Sequence, residues 1–138
     1  MKQDASVIRL DTAGVGLVEF TAQAREFVAR SGISRGVLTL LCRHTSASLL
    51  ITENASMAVR RDILAWLGRM APQGGGYAHD DEGPDDMPAH LKAALTGVNL
   101  SIPVSGGNML LGTWQGLFLA EHRARPHRRE IAAHIIGE

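Results

Sequence analysis

The sequence predicts an α+β domain: mixed, mostly antiparallel sheets with about three helices, one domain over residues 1–138. Three observations lead there. The β-rich runs come in blocks rather than alternating with helices. Two segments carry apolar residues at helical spacing, and a third opens with a capping acid and an early proline. No GxGxxG follows any strand, which removes a nucleotide-binding Rossmann unit.

Taken in order, Ser6–Leu10 and Gly16–Phe20 read as short strands around the Asp11-Thr12-Ala13-Gly14 turn. Thr21–Arg30 is a helix by the spacing of Ala24, Phe27 and Val28, and Ser31-Gly32 stops it. Gly36–His44 and Ser46–Glu53 are β-rich runs. Asn54–Met70 is the clearest helix, with Val59, Ile63, Trp66, Leu67 and Met70 on one stripe and Arg60, Arg61 and Asp62 facing outward. Pro72–Pro88 is rich in Gly, Pro and acid and reads as a long, chemically loaded loop. Asp86-Met87-Pro88 opens the next helix with a capping acid and an early proline, and that helix runs to Leu95 and ends at Gly97. Leu100–Val104 and Met109–Gly112 are strands joined by Ser105-Gly106-Gly107-Asn108, a strong hairpin signal. Leu117–Arg123 and Arg129–Ile136 complete the strands.

Composition narrows the function. Of 138 residues, 45% are hydrophobic and 20% charged, enough for a real core. Lys plus Arg is 14 and Asp plus Glu is 14, so the net charge is zero. Coating nucleic acid or an anionic membrane needs a basic excess, so neither partner is expected. Aromatics at 4% disfavour stacking on single strands. The single cysteine, Cys42, allows no intrachain disulfide and no Cys-based zinc knuckle, and reads as a buried strand residue. The most apolar stretch, Met109–Ala120, is broken by Gln115 and glycines and is too short for a membrane helix. With no signal peptide visible, a soluble cytoplasmic protein is expected.

Five constellations could carry chemistry. His44-Thr45-Ser46-Ala47-Ser48, running on to Glu53-Asn54, clusters hydroxyls and amides beside an imidazole, either as an anion site or as a polar turn. His90 lies in the first turn of a helix, where a neutral imidazole is a competent ligand or proton acceptor, or an ordinary surface histidine. His79 follows in the acidic loop; with His44 and His90 it gives three imidazoles, the ligand count of a catalytic zinc site, against the alternative of a solvated loop. Gly112-Thr113-Trp114-Gln115-Gly116 can form a flat hydrogen-bonding wall, or a bulge with a core tryptophan. Glu121–Arg129 holds four arginines and two histidines, for phosphate binding or for protection of an edge strand. Arg123, Arg125 and Glu121 share one strand parity.

HTSASLLITENA, YAHDDEGPDDMPAHLKAAL, NLSIPV followed by GGNMLLGTWQGLFLAEHR, and RPHRREI together resemble the YjbQ family over about Gly36 to Ile136. The resemblance implies an α+β fold with the helices packed on one side of the sheets, and a trimer with a polar pocket at the subunit interface, built by His44, Thr45, Ser46, Glu53, Asn54, His79, His90, Trp114, Gln115, Glu121 and Arg123. It implies a divalent metal, zinc first, on His44, His79 and His90. The implied activity is that of a secondary thiamine-phosphate synthase, which joins a pyrimidine diphosphate to a thiazole phosphate and releases pyrophosphate. On that reading His44, His90, Glu53 and Arg123 are catalytic. Thr45, Ser46, Asn54, Trp114, Gln115, Glu121 and Arg125 bind substrate, a small phosphorylated metabolite. Two alternatives stand beside it: a metal-dependent hydrolase of a small phosphorylated or carboxylated metabolite, with Glu53 or Asp80 as base, and a non-catalytic trimeric binding protein for an anion or planar metabolite.

Overall fold

A computed structural model describes residues 1–138. Its strands are β1 (Lys2–Thr12), β2 (Gly16–Glu19), β3 (Gly36–Cys42), β4 (Ala47–Glu53), β5 (Asn99–Ser105), β6 (Asn108–Met109), β7 (Gln115–Glu121) and β8 (His127–Gly137). Its helices are α1 (Thr21–Ser31), α2 (Met57–Met70) and α3 (Asp86–Thr96). Two sheets form, in the orders β1-β8-β3-β5-β6 and β2-β7-β4, and every strand pair is antiparallel. No helix is long and apolar enough to cross a membrane.

Strand alternation makes the core. Ile8 and Leu10 of β1, Leu38, Leu40 and Cys42 of β3, and Ile131, Ala133 and Ile135 of β8 all point inward at period two. They meet Leu49, Leu117 and Leu119 of the smaller sheet, while α1 adds Ala24, Phe27 and Val28. Strand β7 is buried on both faces. Leu117 and Leu119 face the core, whereas Phe118 lies under the Arg60 guanidinium of α2, 4.8 Å from its ring centroid. Helix α3 packs against β4.

Several elements depart from expectation. Helix α2 starts at Met57 rather than Asn54, and only Leu67 is buried. Trp66 and Met70 are 45% and 54% exposed, and Arg60, expected outside, turns in over Phe118 and toward Glu19. The strand expected at Met109–Gly112 is only Asn108–Met109, although the hairpin stands: Gly106 and Gly107 both adopt positive φ between paired Ser105 and Asn108. Strand β8 is not an edge, because β1 and β3 flank it, so edge protection does not explain its arginines.

A polar network lies between β7 and α3. Thr96 Oγ1 donates to Ser48 Oγ (2.6 Å), which shares a hydrogen with His122 Nε2 (2.8 Å). Burial, with the Lys92 charge, lowers His122 to about 4 from its ordinary 6.5. Between those values the unfolded chain binds a proton there and the folded chain does not, so stability is present above pH 6.5 and falls as pH drops. By pH 5 this group alone costs about 2 kcal/mol. Denaturant unfolding at pH 7 and pH 5 should show that loss in the wild type and a visibly smaller one in His122→Gln.

Candidate metal centre

The turn of α3 that begins at Asp86 puts Asp86 and His90 four residues apart on one helix face. The preceding loop returns His79 to the same face. His79 Nε2 lies 2.6 Å and His90 Nε2 3.0 Å from Asp86 Oδ2. One ligand-capable atom from each of the three residues falls within 4.8 Å of the others. Asp86 is 2% exposed. Its other oxygen, Oδ1, accepts from Arg123 Nη1, and Arg123 Nε donates to Asp85 Oδ2 at 3.0 Å.

The protons on His90 are constrained. Its Nδ1 lies 2.8 Å from the Thr45 carbonyl oxygen, which can only accept, so Nδ1 carries the hydrogen. In a neutral ring Nε2 then presents a lone pair to Asp86 Oδ2, which is also a lone-pair donor. The contact is favourable only with a positive species at that point, either a second proton on His90 or a metal ion. The carbonyl contact is also the partner that orients a metal-binding imidazole with Nε2 outward. These residues therefore fit a divalent cation: two imidazoles and a carboxylate, with the donors of each already oriented.

The surrounding electrostatics agree. Burial pushes the Asp86 carboxyl up, but the His79 hydrogen bond and the pull of His90 and Arg123 outweigh it and hold it below the usual carboxylate value. The hydrogen bond to Asp86 raises His79, with the Asp86, Asp81 and Glu82 charges adding to it.

His44 stands outside this cluster. Its Nε2 accepts the Glu130 backbone N–H at 2.8 Å, so that nitrogen is already used. Burial and the Arg129 charge lower its pKa, which keeps the ring neutral. Of the three imidazoles expected to share a metal, His79 and His90 come together, and the third nearby ligand-capable group is Asp86. It also does not cap its helix: the N-cap is Asp85, and neither acid caps through its side chain. The DDMPAH spacing carried the signal for Asp86, because acid and histidine four apart on a helix share a face.

The other expected site residues divide into four groups. Thr45 is exposed beside His90. Ser46 and Glu121 are buried with Arg129, which sequence reasoning did not single out: Arg129 forks onto both Glu121 oxygens and reaches Ser46 Oγ at 3.0 Å. Thr12 Oγ1 donates to Glu121 Oε1 at 2.6 Å. This is internal scaffolding beneath the centre. Arg123 spends its guanidinium on Asp85, Asp86 and the Glu82 carbonyl rather than leaving it free for phosphate. Arg125 lines a 570 Å³ cleft beside Arg123.

Glu53, Asn54, Trp114 and Gln115 lie elsewhere. Register pairs Ala47 with Glu121 at one end of β4 and Glu53 with Gln115 at the other. Seven residues of strand put the two ends roughly 20 Å apart. There Glu53 Oε2 accepts the Ser56 N–H, Gln115 Oε1 accepts the Gly112 N–H, and Asn54 Nδ2 donates to Glu19 Oε2. Gly116 is required: a Cβ would sit 2.6 Å from Glu19 Oε2 and 2.9 Å from Asn54 Cβ. Trp114 is 64% exposed, so it is not a core residue.

Residues 6–138 match the YjbQ family, described as UPF0047 protein YjbQ-like. The chain belongs to the YjbQ (UPF0047) family. UPF0047 protein sll1880 of Synechocystis sp. is 44% identical over 99% of this chain and 94% of its own. UPF0047 protein YjbQ of Escherichia coli O157:H7 is 45% identical over 77% of each chain. The crystal structure of an uncharacterized conserved protein of the YjbQ/UPF0047 family from Clostridium acetobutylicum superposes with a TM-score of 0.89 at 36% identity, covering 95% of this chain and 99% of that one. The motifs that carried the YjbQ resemblance lie within the matched span, and the antiparallel α+β fold is the YjbQ fold.

Proposed function

We propose that this YjbQ protein is an enzyme of small phosphorylated metabolites whose His79, Asp86 and His90 side chains hold one divalent cation, zinc first. The single observation that supports it is the convergence of one ligand atom each from His79, Asp86 and His90 within 4.8 Å, with His90 Nε2 turned toward Asp86 while its Nδ1 faces the Thr45 carbonyl. The reaction we assign is the thiamine-phosphate-synthase type that the motif resemblance implies. Departure of pyrophosphate from the pyrimidine methylene leaves a cation and a multiply charged leaving group. When bound, the metal supplies Lewis-acid neutralisation of that charge. Arg123 holds Asp86 in place, and Arg125 is the cation available to a phosphate at the rim of the adjoining cleft.

Product analysis with both precursors tests the assignment. Thiamine phosphate and pyrophosphate in equal amounts are expected from the wild type. Free phosphate without coupling would instead indicate metal-assisted hydrolysis, for which Asp80 beside His79 remains a base while Glu53 is too distant within one chain. Binding without turnover would leave a binding protein.

The assembly belongs to the same proposal. Trp66, Met70, Met57 and Trp114 form large apolar exposures on and near α2, a helix that buries only Leu67. A helix with so little of its apolar face covered gains little from packing in a single chain. We assign that face to contacts between copies in a homotrimer. The interface pocket that the resemblance implies would then take the Glu53–Asn54 and Trp114–Gln115 pairs from one copy and the metal centre from a neighbour, since within one chain they lie at opposite ends of β4. Sedimentation should give a trimer for the wild type and a folded monomer for Trp66→Glu combined with Met70→Glu; an unchanged trimer in that variant would place the interface elsewhere.

A further inference from the structure

The metal centre has two unlike flanks. On the Arg123 side, the 570 Å³ cleft carries Arg125, Glu82 and Asp85. On the His90 side, a cleft of 670 Å³ lies between the β3–β4 turn and the C-terminal half of α3, a size suited to a small molecule. Its floor is Ala93, Ala94, Gly97 and Val98, and its polar groups are His44, Thr45, Asn99 and His90 itself. No lysine, arginine, aspartate or glutamate lines it.

His44 fixes the chemistry of this cleft. Because Nε2 accepts from the Glu130 N–H, the neutral ring must carry its hydrogen on Nδ1, and nothing in the chain accepts from Nδ1. The ring is thus held as a neutral donor with a set tautomer. An ionised phosphate placed over the alanine floor, on the side of His90 away from Asp86, would lose water with no lysine or arginine in the lining to replace it. An uncharged group loses much less, gains contact with Ala93, Ala94 and Val98, and can offer an acceptor to His44.

We infer that the cleft between the β3–β4 turn and α3 binds the uncharged, largely apolar portion of the substrate, with His44 Nδ1–H donating to an acceptor on it. This rests on the proposed metal-centre reading and adds a division of labour: the anionic portion goes toward Arg125 and the neutral portion toward His44. His44 is then a specificity residue and neither a ligand nor a general base.

A matched pair of probes tests it. Nicotinamide and nicotinate share size and ring, and differ in charge. Backbone amide shifts of isotope-labelled protein should show nicotinamide saturating at Ala93, Ala94 and Val98, and nicotinate binding there at least about tenfold more weakly because its charge goes unpaired. His44→Phe keeps the apolar body, removes the donor and should weaken nicotinamide by about fivefold. Ala94 is exposed on its helix, so Ala94→Leu fills the cleft without disturbing the core and should abolish nicotinamide binding while leaving metal content unchanged. Equal binding of the two probes, no shift at these amides with either, or full nicotinamide binding by Ala94→Leu would overturn the inference. Absence of metal from wild type would instead overturn the reading of the centre, so the two failures are separable.

Discussion

The proposed metal centre predicts that replacing Asp86 by asparagine lowers divalent-metal affinity, and with it the proposed thiamine-phosphate formation, on the order of 100-fold or more. Loss of a partner one shell out from a metal already reduces affinity by about 10–100-fold, and Asp86 would be a ligand itself. The substitution keeps the shape but removes the charge that holds two imidazoles and Arg123. Titration with zinc in a chelator-buffered solution reads the affinity, and the coupling assay reads the activity. Near-wild-type values of both in a folded Asp86→Asn protein would remove Asp86 from the centre.

Arg129→Met should be the most damaging single change to stability. Glu121 is fully buried, and its carboxylate takes hydrogen bonds from Arg129, Thr12 and the Arg123 backbone N–H. Removing the guanidinium leaves that carboxylate buried with its cation gone, a situation that costs about 3–5 kcal/mol. Removing both charges is different, because a buried pair replaced by groups of similar volume is often close to neutral. Denaturant unfolding near pH 7 should therefore show a large loss in Arg129→Met and a substantial recovery in the double variant Glu121→Gln with Arg129→Met. If the single variant loses less than about 1 kcal/mol, the pair is not the buried anchor its geometry implies.

The elements that the sequence made legible are those set by local rules. Phe27 and Val28 at helical spacing, Gly32 at a helix end and Gly106-Gly107 between two strands each determine their structure within a few residues. Strand alternation gave the inward residues of β3 and β8 for the same reason. What could not be read depends on contacts between distant segments. Arg129 meets Glu121 only because β8 sits in one sheet and β7 in the other, so a run of arginines looked equally like a phosphate site and a charged edge. Trp66 and Met70 fit an apolar stripe by spacing, yet spacing does not say whether this chain or another covers them.

The candidate centre was half legible. His79 and His90 stand out as histidines in a loaded loop and at a helix start. Asp86 stands in the same motif, but an acid at a helix start has two uses, and local pattern alone reads it as a cap. By residue type alone His44 groups with the other imidazoles. Its direction was set by the Glu130 amide of a strand 86 residues away, which no local pattern reveals.

The metal content of untagged protein, wild type and His90→Ala side by side, tests the central claim most directly. Elemental mass spectrometry should find about one divalent ion per chain in the wild type, as a single three-ligand site requires, and far less in the variant. Wild-type protein without metal after growth in zinc-supplemented medium, or a His90→Ala protein that retains the full amount, would contradict it.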